Sequence, residues 1–144
     1  MVKRTASAAW TGGLKDGKGT VSTERGVLKS TPYNFSGRFE EGTLGTNPEE
    51  LIAAAHASCF SMASSAELGK AGIVPQAVET TATLSFEKVN EKMTVAAIHL
   101  DTVIRAPGAD ATKVAEAVEA AKAGCPISRL LAPGTKITMS HKLA

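Results

Sequence analysis

The sequence predicts an α+β fold with antiparallel sheet, on three observations. Segments of alternating apolar and polar side chains, typical of half-buried strands, occur near the start, in the middle and at the end of the chain. The first four come as two consecutive pairs rather than in regular alternation with helices, which favours α+β. Between them lies a long run of small and apolar residues that fits a buried helix. The 144 residues are expected to form one domain, 1–144, which removes about 68–70% of the unfolded surface from water.

The chain is predicted to begin with a hairpin of two strands, 3–10 and 19–24. Their connection contains Asp16-Gly17, a pair suited to the positive φ angles of a tight turn. From Lys29 to Thr46 the periodicity is lost and Gly, Pro, Asn and Ser accumulate. This segment is therefore predicted to be a long loop, and loops of that length in a compact domain usually carry function.

A helix is predicted to begin directly after this loop. Asn47 suits the N-cap, Pro48 the first helical position, and Glu50 the third position of a capping box. After this first turn the helix continues from Leu51 through Leu68, and because its side chains there are small or apolar all round, we expect it to be buried on every side. Two glycines end it: Gly69 and Gly72.

The second half of the chain is predicted to start with a long hairpin, strands 76–89 and 92–105 joined at Asn90-Glu91. Asp110 then caps a helix that ends at Gly124. Apolar residues with helical spacing give this helix its buried face: Val114, Ala117, Val118 and Ala121.

The last predicted elements are a short helix and a strand over about 135–143. Cys125 stands at the N-cap of the short helix, and Pro126 is its first residue. The whole order is two strands, a loop, the buried helix, two strands, a helix, the short helix and a final strand.

Composition narrows the classes of function. The formal net charge is +2 and 43% of residues are hydrophobic, which excludes a disordered chain, an acidic tail protein and a strongly basic nucleic-acid binder. The N-terminus has no apolar stretch of signal-peptide length, and no window reaches about 18 uninterrupted apolar residues, so we expect no membrane span and a soluble, cytoplasmic protein. Only six residues are aromatic, a small supply for a core.

Cys59 and Cys125 are the only cysteines, too few for a disulfide scaffold. Cys59 follows His56 by three residues on one helix face. It is either a small buried hydrophobe or half of a Cys–His pair in which the imidazole keeps the thiol ionised, although no third group is visible to orient that imidazole. A zinc site of both cysteines, His56 and a fourth ligand has no local spacing signature.

Cys125 is better placed than Cys59 for local activation, because a helix N-terminus stabilises a thiolate. Arg129, one turn further on, would add positive charge there. Alternatively, Cys125 has no chemical role and is part of a short connection between two helices.

Arg38 and Glu49 also have simple structural interpretations. Arg38 is typical of a solvent-exposed arginine in a loop, and Glu49 is typical of an acidic residue that stabilises the first turn of a helix through its dipole.

Two segments together resemble the OsmC branch of the OsmC/Ohr thiol peroxidases. One is Asn47-Pro48-Glu49 and the helix that leads to Cys59, and the other is Gly124-Cys125-Pro126. The N-terminal Trp10-Thr11-Gly12 and the loop's Arg38-Phe39-Glu40 extend the resemblance to nearly the whole chain. The sister Ohr branch has an aromatic residue in place of His56, which argues against a Cys–His dyad, and Arg129 is given no catalytic weight.

The resemblance implies an OsmC-like fold, with antiparallel sheets wrapped around a long buried central helix in an intertwined homodimer. It implies a peroxiredoxin-like enzyme that reduces organic hydroperoxides, and hydrogen peroxide less well, in oxidative and osmotic stress defence. Cys59 would be oxidised to a sulfenic acid and Cys125 would resolve it as a disulfide, which a dithiol reductant resets. Arg38 would lower the pKa of Cys59 and polarise the peroxide, with Glu49 orienting Arg38. No metal, haem or flavin is implied.

Helix geometry adds an expectation about assembly. Glu49 and Cys59 are ten residues apart on one helix, about 15 Å along its axis. One arginine cannot join them without strain, so we expect a site between subunits, with Glu49 approaching from the partner chain. A non-catalytic thiol redox sensor or binding protein stays open as an alternative, as does a zinc-binding structural protein.

Overall fold

A computed structural model describes residues 1–41 and 44–144. The fold is α+β, as predicted, and the chain divides into two compact units, Met1–Leu51 and Ile52–Ala144. Gly42 and Thr43, which belong to the predicted loop, lie outside the described residues.

The first unit contains a three-stranded antiparallel sheet, β1 (Ala6–Thr11), β2 (Lys18–Thr23) and β3 (Thr31–Tyr33), in that order. The predicted hairpin is confirmed as β1 and β2, but its turn was predicted wrongly. The positive φ, 93°, belongs to Gly12 rather than to Gly17. Gly17 is needed for close packing instead, because a Cβ there would collide with the carbonyl oxygen of Gly13.

The predicted loop over 29–46 contains two short elements, β3 and helix α1 (Phe35–Phe39). Asn34 caps α1, since its Oδ1 accepts a hydrogen bond from the backbone N–H of Gly37 at 2.7 Å. Elements of three and five residues are too short to show a hydrophobic period, and so the sequence pattern did not reveal them.

The predicted long helix is α2, Pro48–Lys70. Its start is confirmed: the Oδ1 of Asn47 accepts from the backbone N–H of Glu50 at 2.7 Å. At its other end, Gly72 has φ 77° and the N–H of Ile73 donates to the carbonyl of Leu68 at 2.9 Å. This is a left-handed C-terminal cap in which only glycine is unstrained.

The prediction that α2 is buried on every side is wrong for the described chain. Its buried residues recur every fourth position and form one stripe, while Met62 on another face is 74% exposed. Small side chains allow close packing all round, but here only one stripe is fully buried, and Ile52, Cys59 and Ala63 pack against the core while partly exposed. The stripe consists of His56, Phe60, Ser64 and Leu68.

The second unit contains the sheet β4 (Ala77–Val89), β5 (Lys92–Arg105) and β6 (Lys136–Leu143). The β4–β5 hairpin turns at Asn90 and Glu91, as predicted, and both of these residues have positive φ. The predicted final strand, however, pairs parallel with β5, so this sheet is mixed rather than antiparallel. Two helices connect β5 to β6, and such a crossover returns the chain in the same direction.

These connecting helices are α3 (Ala111–Gly124) and α4 (Pro126–Leu131). The capping role of Asp110 is confirmed, because its side chain accepts from the N–H of Lys113 at 3.0 Å. The predicted apolar face of α3 is also confirmed by its buried residues: Val114, Ala117, Val118 and Ala121.

The buried apolar side chains of the described residues all belong to the second unit. The largest of them are on α2 and β5: Phe60, Leu68, Ile98, Leu100 and Ile104. Within the described ranges, no helix is both long and apolar enough to cross a membrane.

Candidate active site

The two cysteines, 66 residues apart in sequence, lie side by side in the second unit. Their sulfur atoms are 3.0 Å apart, within hydrogen-bond distance, and both thiols are free. Cys59 on α2 is partly exposed, whereas Cys125 at the N-cap of α4 is fully buried. A small reactant can therefore approach Cys59, and Cys125 is placed to react with whatever forms on Cys59.

The environment favours ionisation of Cys125 over Cys59. Burial raises the pKa of Cys59, and its hydrogen bond with Cys125 raises it further. Burial also opposes ionisation of Cys125. Hydrogen bonds from the Cys59 thiol, the Ser128 hydroxyl and the backbone N–H groups of Ser128 and Ile127 outweigh the effect of burial, so the pKa of Cys125 is lowered. The backbone N–H groups of Ser128 and Ile127, at the start of α4, are among the groups that lower the pKa of Cys125, in line with the expectation that a helix N-terminus favours its ionisation.

His56 does not serve Cys59 as a base. Its Nε2 lies 2.7 Å from the Ser128 hydroxyl, and both side chains are buried. Burial lowers the pKa of His56, so the imidazole is neutral at pH 7. The Cys–His pair, one of the two interpretations that the sequence left open, is therefore not formed. The role of Ser128 was missed from the sequence, although it lies in the first turn after Cys125.

A zinc site has no ligand set here. Among residues 1–41 and 44–144, no three His, Cys, Asp or Glu side chains are grouped so that they could hold a metal ion. The alternative set of His56 and the two cysteines is not such a group, and the Nε2 of His56 is bonded to Ser128 instead.

Arg38 and Glu49 form a bidentate ion pair in the first unit. The Arg38 Nη2 lies 2.5 Å from the Glu49 Oε1, and its Nε lies 3.1 and 3.2 Å from the two carboxylate oxygens. The Glu49 hydrogen bond raises the pKa of Arg38, so the guanidinium stays charged. Its position is therefore fixed by two donors on one planar carboxylate.

Arg38 and Glu49 meet within one chain, and the expectation of a site between subunits, with Glu49 approaching Cys59 from the partner chain, stays a prediction. The Nδ2 of Asn47 donates to the carbonyl of Gly37 at 3.1 Å and holds α1 against the start of α2. Glu49, in the first turn of α2, is thereby brought beside Arg38 on α1.

A cavity of about 270 Å³ lies beside Arg38 in the first unit. The Trp10 and Tyr33 rings lie 5.6 Å apart, and the Arg38 guanidinium lies 5.6 Å from the Phe39 ring centre. Four of the protein's six aromatic residues line this cavity. The sequence pattern did not reveal the cavity, because the aromatic residues were considered only as core residues. Its walls are Trp10, Leu14, Tyr33, Asn34, Phe35, Arg38 and Phe39.

Comparison with known proteins gives a consistent result over nearly the whole chain. The family described as OsmC-like protein matches residues 40–140. The chain is 48% identical to Peroxiredoxin OsmC of Escherichia coli (strain K12) over 142 residues, 99% of this chain and 97% of that relative.

Solved structures share the α+β fold. An organic hydroperoxide resistance protein OsmC from Legionella pneumophila is 26% identical, with a TM-score of 0.73 over 96% of both chains. The organic hydroperoxide resistance protein OhrB of Bacillus subtilis is 26% identical, with a TM-score of 0.71 over 96% of this chain and 98% of that one.

Proposed function

This chain belongs to the family of OsmC-like proteins, as its sequence resemblance predicted. We therefore propose that it is a thiol-dependent peroxidase that reduces organic hydroperoxides, and that it reduces hydrogen peroxide less well. It is an oxidoreductase of the peroxiredoxin type, and its role is antioxidant stress defence. One observation carries the proposal: a partly exposed thiol, Cys59, lies 3.0 Å from a buried one, Cys125. We propose that residues 1–144 act as one domain whose reacting groups are its own two cysteine thiols.

The reaction has three steps. The Cys59 thiolate attacks the peroxide oxygen, the O–O bond breaks, a sulfenic acid forms, and the alkoxide takes a proton and leaves as an alcohol. The Cys125 thiolate then attacks the Cys59 sulfur and forms a disulfide, while hydroxide leaves and is protonated to water. A dithiol reduces this disulfide by exchange and becomes a disulfide itself. A compartment that keeps thiols reduced, such as the cytoplasm, would supply the dithiol.

Arg38 is proposed to provide the charge that Cys59 lacks. In the second unit, burial and the neighbouring thiol both raise the pKa of Cys59. A guanidinium held by Glu49 would reverse that effect and would also donate to the peroxide oxygens as negative charge develops on them. The aromatic cavity beside Arg38 suits an alkyl or aryl group, which supports organic hydroperoxides as substrates.

We propose that the enzyme works as a homodimer in which the Arg38–Glu49 pair of one subunit serves Cys59 of the other. Glu49 and Cys59 are ten residues apart in sequence, which corresponds to about 15 Å along a helix axis, more than one arginine can bridge without strain. In addition, the described part of the first unit buries no apolar side chain, and Met62 on α2 is 74% exposed. Surfaces of this kind favour association with a second copy.

Mixing a slowed variant with an inactive one tests this arrangement. Arg38→Ala and Cys59→Ser subunits are mixed and allowed to exchange. Half of the random dimers then contain one subunit of each kind, and each of these dimers has one intact site of its two. The mixture should therefore show about a quarter of the wild-type number of active sites in the first turnover. Stopped-flow consumption of cumene hydroperoxide measures the recovery. The control mixes Arg38→Ala with the double variant Arg38→Ala/Cys59→Ser and should recover nothing. Equal recovery in both mixtures, or none in either, would refute a shared site.

Arg38→Ala is expected to slow oxidation of Cys59 by about tenfold to hundredfold, the effect of one lost charged hydrogen bond. The second-order rate constant with cumene hydroperoxide measures this loss. Arg105→Ala is the matched control, because Arg105 pairs with Glu79 at 3.3 Å and both side chains are more than half exposed. An unchanged rate constant in Arg38→Ala would remove Arg38 from the mechanism.

The reaction class itself is tested by steady-state consumption of cumene hydroperoxide with dithiothreitol and, separately, with the monothiol 2-mercaptoethanol. We expect many turnovers with the dithiol and much slower turnover with the monothiol, because a dithiol completes disulfide exchange intramolecularly. Consumption of only about one peroxide per chain with both reductants would support the redox sensor instead.

A further inference from the structure

A buried chain of polar groups leads from α2 to Cys125. His56 on α2 and Ser128 on α4 are 0% and 2% exposed, and the imidazole Nε2 lies 2.7 Å from the Ser128 Oγ. Ser128 follows Cys125 by three residues, and its hydroxyl and backbone N–H both favour the Cys125 thiolate. The proposed three-step reaction assigns no task to His56 or Ser128.

The position of the imidazole proton decides what the Ser128 hydroxyl can do. Burial keeps His56 neutral, so it carries one N–H. Its Nδ1 is buried and has no partner among the described residues. A proton on Nδ1 would leave a buried donor without an acceptor, the rarer and costlier arrangement, and would use the Ser128 O–H as donor to Nε2. A proton on Nε2 leaves no buried N–H without an acceptor, because Nε2–H then donates to the Ser128 Oγ. The Ser128 hydroxyl hydrogen is then free to donate to another group.

We propose that His56 and Ser128 are positioning residues for Cys125: the Nε2–H of neutral His56 donates to the Ser128 Oγ and so directs the Ser128 hydroxyl hydrogen at the Cys125 sulfur. A hydrogen bond to an anion is stronger than one to a neutral group, so this arrangement favours Cys125 in its thiolate form. The thiolate is the species that attacks the Cys59 sulfenic acid, with formation of the S–S bond and departure of hydroxide.

The inference rests on the proposed function for its purpose, but its first test needs no peroxide. In a Cys59→Ser background Cys125 is the only cysteine, and thiolate absorbance at 240 nm reports its ionisation. Adding Ser128→Ala should raise the pKa of Cys125 by about 1, the effect of one lost charged hydrogen bond. His56→Leu should act in the same direction, whereas His56→Gln, which keeps an N–H near the Nε2 position, should restore most of the original value.

Ser64→Ala is the matched control. Ser64 is a fully buried serine on the same helix as His56, and its hydroxyl has no partner in the described part of the chain. Its removal should leave the Cys125 pKa unchanged. An unchanged pKa in Ser128→Ala, or an equal rise in Ser64→Ala, would overturn the proposal.

A second measurement follows the resolving step in chains that keep both cysteines. After a peroxide pulse in the presence of dimedone, Ser128→Ala should form the Cys59–Cys125 disulfide about tenfold more slowly and accumulate more dimedone adduct on Cys59. Raising the pH should restore its rate, because a higher pH restores the thiolate. A slow rate that pH does not restore would indicate a merely structural role and refute the proposal. If no variant reduces peroxide, the proposed function fails while the titration still decides the role of Ser128.

Discussion

Cys59→Ser is expected to abolish peroxide turnover and to leave the fold intact. A serine hydroxyl does not ionise near neutral pH and cannot form the sulfenic acid, whereas a thiolate is a strong nucleophile toward an O–O bond. Cys59 packs at the edge of the core as a partly buried side chain, so the exchange of sulfur for oxygen changes its volume little. Consumption of cumene hydroperoxide with dithiothreitol measures the loss, and circular dichroism checks the fold.

Ser58→Ala provides the control for this variant. Ser58 neighbours Cys59 on α2, and its hydroxyl donates to the helix carbonyl of Ala55 at 3.0 Å. The control should keep the wild-type rate. If Cys59→Ser kept that rate as well, Cys59 would not be the nucleophile. The more acidic Cys125 would then be the candidate, despite its burial.

Cys125→Ser is expected to leave the first turnover intact and to stall the cycle after it. The partly exposed Cys59 can still be oxidised, but no second thiol lies 3.0 Å away to form the disulfide. We expect consumption of about one peroxide per chain on the timescale of wild-type turnover, because direct reduction of the sulfenic acid is a slower, intermolecular reaction.

Mass spectrometry after dimedone treatment identifies the stalled species. Cys125→Ser should carry the adduct on Cys59, and the wild-type chain should carry little, because its disulfide forms first. Continued turnover of Cys125→Ser at the wild-type rate would contradict the resolving role. Loss of the first turnover would instead show that Cys125 also helps to activate Cys59.

Local sequence signals predicted the long elements of the fold well. The cap at Asn47, the glycine stop at Gly72 and the turn at Asn90 each depend on a few neighbouring residues. The direction of β6 depends instead on how a crossover packs over the sheet, which local pattern does not encode. The exposed face of α2 was mispredicted for a related reason, since composition indicates what a surface can bury but not what covers it.

The candidate site was predictable only in part. The cysteines were visible as the only two in the sequence, and the resemblance drew attention to Arg38 and Glu49. The contact between His56 and Ser128 joins residues 72 positions apart, so no local spacing could reveal it. The aromatic cavity likewise gathers residues from β1, β3 and α1, and a count of six aromatic residues carries no information about where they meet.

The central claim is that peroxide converts the adjacent thiols of Cys59 and Cys125 into one disulfide. Peptide mapping under non-reducing conditions, after one equivalent of cumene hydroperoxide per chain, tests it most directly. We predict a cross-linked pair of peptides containing these two residues, two hydrogen atoms lighter than the separate peptides, with one alcohol released per chain. Both thiols still free for alkylation, with the hydroperoxide unconsumed, would contradict the claim.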